Sequence, residues 1–286
     1  MLYIFLSVCC SVVVSILLKM ARRYQINVVQ AITWNYSIAA ILTWLFLKPH
    51  VNSITHAPIN YYLLLGVLLP AIFYVMASAV RSAGIVRTDV AQRLSLLISL
   101  TAAFIVFGDH FTLLKITGIV LGFAAIFCLI PWQKKQAGIQ SNKSNWMYLA
   151  GVFLGFGAID ILFKQMAQNK TAPYTASLFI VYIAAFVISS IGSVYQIQFK
   201  KKRFLFRHIF FGWILGLFNF GNILFYLKAH QALAKNPSTV FTAMNIGVIT
   251  VGTLTGLLIF KEKLSLLHKF GIGLAVIAIL LIAYAS

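Results

Sequence analysis

The chain is assembled almost without interruption from apolar stretches about as long as a bilayer is thick, and no other feature restricts its fold so far. A hydrocarbon core about 30 Å thick is crossed by roughly 20 apolar residues in a helix. Cutting at Pro, Gly and charge clusters gives ten such stretches. The first half holds Met1 to Met20, Val28 to Leu47, Asn60 to Val80, Thr88 to Phe107 and Leu113 to Pro131. The second half holds Trp146 to Ala167, Tyr174 to Ile197, His208 to Leu227, Pro237 to Phe260 and Leu266 to Ala285. With 61% of residues hydrophobic and 9% charged, too little polar surface exists to clothe a soluble globule. The expectation is an all-α integral membrane protein of ten transmembrane helices.

Three features that suggest other classes fall to the same argument. Met1 to Met20 has no basic leading segment and no clear small-residue cleavage site, so it reads as a mature helix and not a signal peptide. Cys9, Cys10 and Cys128 lie inside apolar stretches without metal-ligand spacing and define no disulfide framework. A net charge of +19 would suggest a nucleic-acid partner in a soluble chain. Here the cations are scattered through short connections, the pattern of loops that face the cytoplasm and anionic lipid.

Internal repetition carries the reading further. Ser15-Ile16-Leu17-Leu18-Lys19 in the first helix parallels Asp160-Ile161-Leu162-Phe163-Lys164 in the sixth, with a lysine at the same depth in both. The turn Phe107-Gly108-Asp109-His110-Phe111-Thr112-Leu113-Leu114 parallels Phe260-Lys261-Glu262-Lys263-Leu264-Ser265-Leu266-Leu267, and Gly118 then matches Gly271. This divides the chain into a first five-helix repeat over 1–131, a polar linker over 132–145 and a second repeat over 146–286. A repeat with an odd number of spans enters the membrane from opposite sides in its two copies, so the two repeats are expected to be inverted. Transporters built this way place substrate near the midplane, where the repeats meet.

Five plus five helices, an acidic residue before the last helix of each half and the glycine that follows resemble the drug/metabolite transporter superfamily, specifically its EamA-type members, over essentially the whole chain. Glu262 and Gly271 fit that pattern more closely than the first copy, where Asp109 stands in place of the more usual glutamate. The resemblance implies a ten-helix carrier of small metabolites and names no substrate.

Orientation follows from charge. The odd-numbered connections hold fifteen Lys and Arg: Arg22, Arg23, Arg81, Arg87, Lys134, Lys135, Lys143, Lys200, Lys201, Lys202, Arg203, Arg207, Lys261, Lys263 and Lys269. The even-numbered ones hold five: Lys48, Lys115, Lys170, Lys228 and Lys235. The positive-inside rule then puts both termini outside the cytoplasm of a plasma membrane, with a bacterial inner membrane the expected setting. EamA-type members are usually drawn with cytoplasmic termini, so charge and resemblance point in opposite directions; the charge count is followed here.

An ionisable group in hydrocarbon costs about 2.5 to 3.5 kcal/mol on insertion scales and has to face protein or a water-filled cavity. Asp160 and Lys164 are four apart with the acid N-terminal, the favourable order for an ion pair. They either neutralise one another between packed helices or line the substrate site. Lys19 has Ser15 where its counterpart has Asp160; it snorkels to the surface, or it finds Asp160 or an anionic substrate group. Asp89 and Arg93 repeat the i,i+4 spacing at a helix start and read as a structural pair. Asp109 and Glu262, followed by Thr112 and Ser265, read as helix-start and hinge residues. Among uncharged groups Trp34, Asn35, Asn219, Asn222 and Asn245 are candidate cavity residues, each with helix-to-helix glue or interface packing as its alternative. Gly212-x-x-x-Gly216 and Gly252-x-x-x-Gly256 fit the small-xxx-small packing pattern.

The functional expectation is a carrier of a small metabolite that alternates access around a midplane cavity. Lys19 and Lys164 attract a carboxylate or phosphate, and Asp160 is the candidate coupling group. Amino acids, other organic anions and amphipathic compounds all fit. The alternatives are a lipid or polyprenyl-phosphate flippase and a membrane-embedded enzyme; the six histidines show no metal-binding spacing, and no catalytic residue, metal or cofactor is expected. The expected partners are the lipid bilayer, the substrate and a second copy in a homodimer.

Overall fold

The computed structural model describes residues 1–49, 59–83, 85–110, 112–129, 143–169, 173–201, 203–260 and 266–285. Every regular element among them is a helix: α1 (Leu2–Arg23), α2 (Val28–Leu47), α3 (Ile59–Ala83), α4 (Ile85–Leu94), α5 (Leu96–Ile105), α6 (Leu113–Leu129), α7 (Lys143–Gln168), α8 (Tyr174–Gln198), α9 (Phe206–Ala232), α10 (Pro237–Phe260) and α11 (Leu266–Tyr284). Among the described residues, seven stretches can cross a bilayer by length and composition: Val28–Leu47, Ile59–Val80, Thr88–Ile105, Trp146–Gln168, Tyr174–Gln198, Phe206–Ala232 and Pro237–Thr255. Leu2–Leu18, Leu113–Cys128 and Lys269–Tyr284 are shorter apolar helices. Most of the linker expected over 132–145 lies outside the described residues, but α7 begins at Lys143, inside its last residues.

Local chemistry sets the helix ends. Asn27 caps α2 by accepting from the backbone N–H of Val29 at 3.1 Å and of Gln30 at 3.4 Å. Pro237 opens α10 at the first helical position, where its missing N–H costs nothing. Gly108 closes α5 with φ +65°, a conformation that disfavours a side chain, and the turn lets the Asp109 N–H return to the Ala103 carbonyl at 3.0 Å.

The sequence reading of Thr88 to Phe107 as one helix needs correction. The helix breaks at Ser95 into α4 and α5. Ser95 Oγ donates to the Gln92 carbonyl at 2.6 Å, and the Ile98 N–H takes the Ser95 carbonyl at 2.9 Å, a tight turn in place of a continuous ladder. A serine hydroxyl that competes for main-chain acceptors is a known way to interrupt a helix.

The helices pack in one cluster. α2 lies against α8 and α9, α1 against α9 and α10, and α3 against α7 and α8. α5, α6 and α11 contact α10, while α6 pairs with α11 and α7 touches α4, α5 and α9. The α2–α9 crossing is close because Gly212 and Gly216 lie in it. A Cβ on Gly212 would stand 2.5 Å from the Ala31 carbonyl oxygen, and one on Gly216 the same distance from that of Asn35. Gly252 of the second motif behaves otherwise: a Cβ on it would meet nothing within 4 Å among the described residues, so no described helix crosses tightly there. Large apolar side chains such as Phe46, Leu154, Ile191, Phe210 and Leu280 stay exposed on the outer faces, as suits a surface facing acyl chains.

Candidate functional site

The chemistry gathers around Asp160 on α7. Both carboxylate oxygens are engaged by hydroxyls: Ser99 Oγ of α5 donates to Oδ2 at 2.8 Å, and the Tyr226 hydroxyl of α9 donates to Oδ1 at 3.0 Å. Ser99 stands one turn beyond the break at Ser95, so the discontinuity in the fourth span presents its hydroxyl to the acid. No ion pair joins Asp160 to a cation among the described residues.

Lys164 follows one turn later and is fully buried. Its ammonium donates to the Ala234 carbonyl at 2.9 Å and lies 5.8 Å from the centre of the Phe107 ring. The i,i+4 pair allowed by the sequence is therefore not formed. Hydroxyl donors occupy the acid, and the turn between α9 and α10 supplies the lysine's acceptor, a partner that helical spacing does not reveal.

An aromatic row extends from this centre. Phe163 meets Tyr226 edge-on at 6.1 Å, Tyr226 meets His230 at 4.7 Å, and His230 meets Phe241 of α10 at 4.8 Å. His230 is 0% exposed, and neither ring nitrogen has a hydrogen-bond partner among the described residues. Leaving a buried polar atom unsatisfied costs about 1–3 kcal/mol, so a native group in this state calls for a partner beyond the described residues.

Above the centre, three segments are clasped together. Lys164 and Gln168 both donate to the Ala234 carbonyl at 2.9 Å, and Gln231 Nε2 donates back to the Ala167 carbonyl at 3.3 Å. In the α5–α6 turn Asp109 pairs with Lys115 at 2.7 Å and accepts from the Ser238 N–H at the start of α10 at 2.8 Å. Lys115 also donates to Asn236 Oδ1 at 3.1 Å. The end of α7, the α5–α6 turn and the α9–α10 turn thus close over Asp160 on one side. A cavity of about 270 Å³ opens beside the clasp, lined by Tyr61, Tyr62, Phe107, Leu162, Gln165 and Asn169 among others.

The remaining candidates scatter. Asn35 is buried on the α2–α9 crossing, and neither side-chain atom has a partner among the described residues. Trp34 faces Phe204 at 6.4 Å, beside the α8–α9 turn. Asn219 is buried on the inner stripe of α9 that also carries Ile223, Tyr226 and His230. Asn222 accepts from Ser7 Oγ at 2.8 Å and joins α9 to α1, the glue reading. Asn245 turns its amide back on the Phe241 carbonyl at 3.0 Å. Asp89 lies 3.5 Å from Arg93, the pairing expected from their spacing. The Lys19 side chain and Glu262 lie outside the described residues. Ser99, Tyr226 and His230 were not singled out by the sequence; the available signal was the spacing of Asn219, Tyr226 and His230, seven and four apart on one face of α9.

A bundle of long apolar helices enclosing a hydroxyl-bound carboxylate beside a broken helix defines a multi-pass membrane protein. The EamA-like transporter family model matches residues 1–130. A Haemophilus influenzae protein, described only as uncharacterized, is 42% identical over 289 residues, covering 97% of this chain and 96% of its own length. A solved crystal structure shares the fold with a TM-score of 0.71 at 15% identity, over 99% of this chain and 96% of that one. The chain belongs to the EamA-like family of the drug/metabolite transporter superfamily and is a multi-pass transmembrane transporter.

Proposed function

We propose that the chain is a secondary carrier of a small metabolite, built from ten spans in two inverted five-helix repeats that rock about the Asp160 centre. Counting α4 and α5 as one span, exchange of the first five spans for the last five maps one set of packings onto another. It carries α2 against α9 onto α8 against α3, α1 against α9 onto α7 against α3, and α1 against α10 onto α7 against α4 and α5. It returns α2–α8, α6–α11 and α5–α10 to themselves. Tyr36 and Tyr182, equivalent under this exchange and buried with ring centres 6.4 Å apart, then flank the pseudo-two-fold axis. An odd number of spans per repeat makes the repeats inverted.

The single observation that carries the reading is Asp160. A half-buried carboxylate held, among the described residues, only by neutral hydroxyls, next to a discontinuous helix, is the kind of centre at which a carrier takes up a proton or a substrate group. Lys164 one turn away adds a positive charge on the same path, so a zwitterion or organic anion of amino-acid size suits the pair. The clasp represents the closed side of the carrier, and alternation requires it to part. We place the odd connections in the cytoplasm, which puts the clasp on the outer face of the plasma membrane.

Thermal unfolding of the purified protein against a metabolite library identifies ligands, since binding to the folded state raises stability. Uptake or efflux of those ligands in proteoliposomes then tests transport. Expected are zwitterionic or anionic ligands whose transport responds to an imposed pH gradient, with transport and that response lost in Asp160→Asn and ligand binding weakened in Lys164→Ala. Transport with unchanged pH response in a folded Asp160→Asn protein would remove Asp160 from the mechanism. Stabilisation by lipids alone would replace the metabolite carrier with a flippase.

A further inference from the structure

The turn between α8 and α9 gathers Lys200, Lys201, Arg203 and Arg207, four cations within eight residues. Lys200, Lys201, Arg203 and Arg207 are exposed. The turn is anchored from α2 and its cap: Gln30 Nε2 donates to the Arg203 carbonyl at 3.2 Å, Asn27 Nδ2 donates to Gln196 Oε1 at 3.0 Å, and Phe204 packs on Trp34 at 6.4 Å. Lys200 lies 5.9 Å from the centre of the Tyr195 ring.

These cations have no counter-charge among the described residues. The chain has four carboxylates. Asp89 is taken by Arg93, Asp109 by Lys115 and Asp160 by two hydroxyls, and Glu262 lies outside the described residues. Like charges this close repel one another, so an external anion lowers their energy. Directly beneath them the outer face of α9 shows Phe206, Phe210 and Trp213 at i, i+4 and i+7, exposed to 73%, 61% and 39%. A free phosphate satisfies only the cations. An anionic phospholipid satisfies both features, with its phosphodiester on the Lys and Arg side chains and its acyl chains along the aromatic stripe.

We propose that the Lys200–Arg207 turn and the Phe206, Phe210 and Trp213 face of α9 form one docking surface for anionic phospholipid.

The full-length protein in detergent is titrated with short-chain phosphatidylglycerol, phosphatidylcholine or inorganic phosphate while thermal unfolding is followed. Phosphatidylglycerol is expected to raise the midpoint by several degrees, and the other two are not. The Lys200→Gln, Lys201→Gln, Arg203→Gln, Arg207→Gln protein should lose that shift, and a Lys228→Gln, Lys235→Gln protein, altered in the last turns of α9 and in the turn that follows it, should keep it. An equal shift in the quadruple variant, the same shift with phosphate alone, or no preference for phosphatidylglycerol would overturn the proposal. A second measurement avoids dependence on the variant's folding. In vesicles, brominated phosphatidylglycerol should quench the tryptophan fluorescence that disappears in Trp213→Phe more strongly than brominated phosphatidylcholine at equal mole fraction; equal quenching would refute the surface.

Discussion

Lys115 Nζ lies 2.7 Å from Asp109 Oδ1, and both side chains are buried where the α5–α6 turn meets the start of α10. The pair is more than a local bridge. Asp109 also receives the Ser238 N–H, close to the positive end of the α10 dipole, and Lys115 reaches Asn236. Two charges thereby hold an early turn of the chain against a late one.

Breaking such a pair from one side strands a charge in the interior, which typically costs about 3–5 kcal/mol. Lys115→Met is therefore expected to lower the unfolding midpoint of the detergent-solubilised protein strongly, and Asp109→Asn less, because asparagine still accepts from Ser238. The double variant Asp109→Asn, Lys115→Met should recover part of the loss, since it leaves neither charge behind. A double variant whose loss equals the sum of the single losses would show that the two charges do not depend on each other.

Two glycines of similar sequence context are expected to respond oppositely. Gly212→Ala presses a methyl group against the Ala31 backbone, which yields far less readily than a side-chain tip, so about 1–3 kcal/mol of destabilisation is expected. Gly252→Ala adds the same methyl group in open space, where better helix propensity favours it by roughly 0.5–1 kcal/mol. Unfolding midpoints of the two variants measured side by side check the assignment. Equal losses would mean that both glycines lie in tight crossings.

That contrast shows where sequence reading stops. Val28 to Leu47 and Pro237 to Phe260 coincide with α2 and α10 end for end, because hydropathy is a local property and the helix boundaries follow it. Small-xxx-small spacing is local too, but whether another helix crosses there is not, so Gly212 and Gly252 looked alike. The Ser95 break escaped notice because Leu94, Leu96 and Leu97 keep the apolar pattern continuous around it, while the break itself depends on one hydroxyl turning to Gln92. At the site the acid and the lysine were both legible as costly groups in hydrocarbon. Their partners were not, since Ser99, Tyr226 and Ala234 lie between 61 and 70 residues away in the chain.

The clasp itself can be opened chemically. Lys164 and Gln168 share the Ala234 carbonyl, so replacing both as Lys164→Met and Gln168→Ala removes two donors that hold α7 to the α9–α10 turn, while Asp160 with its hydroxyl partners stays in place. Thr242 is a suitable reporter. It is fully buried on α10, about 7 Å along the helix from Pro237, and cysteine is close to it in size. In a background with Cys9, Cys10 and Cys128 replaced by alanine, a Thr242→Cys thiol should react slowly with a membrane-impermeant maleimide added to the clasp side of sealed proteoliposomes. Loosening the clasp should raise that rate several-fold, and a transported ligand that favours the closed arrangement should lower it again. An unchanged rate, in a variant that still unfolds cooperatively, would mean that these two hydrogen bonds do not hold the closed side shut.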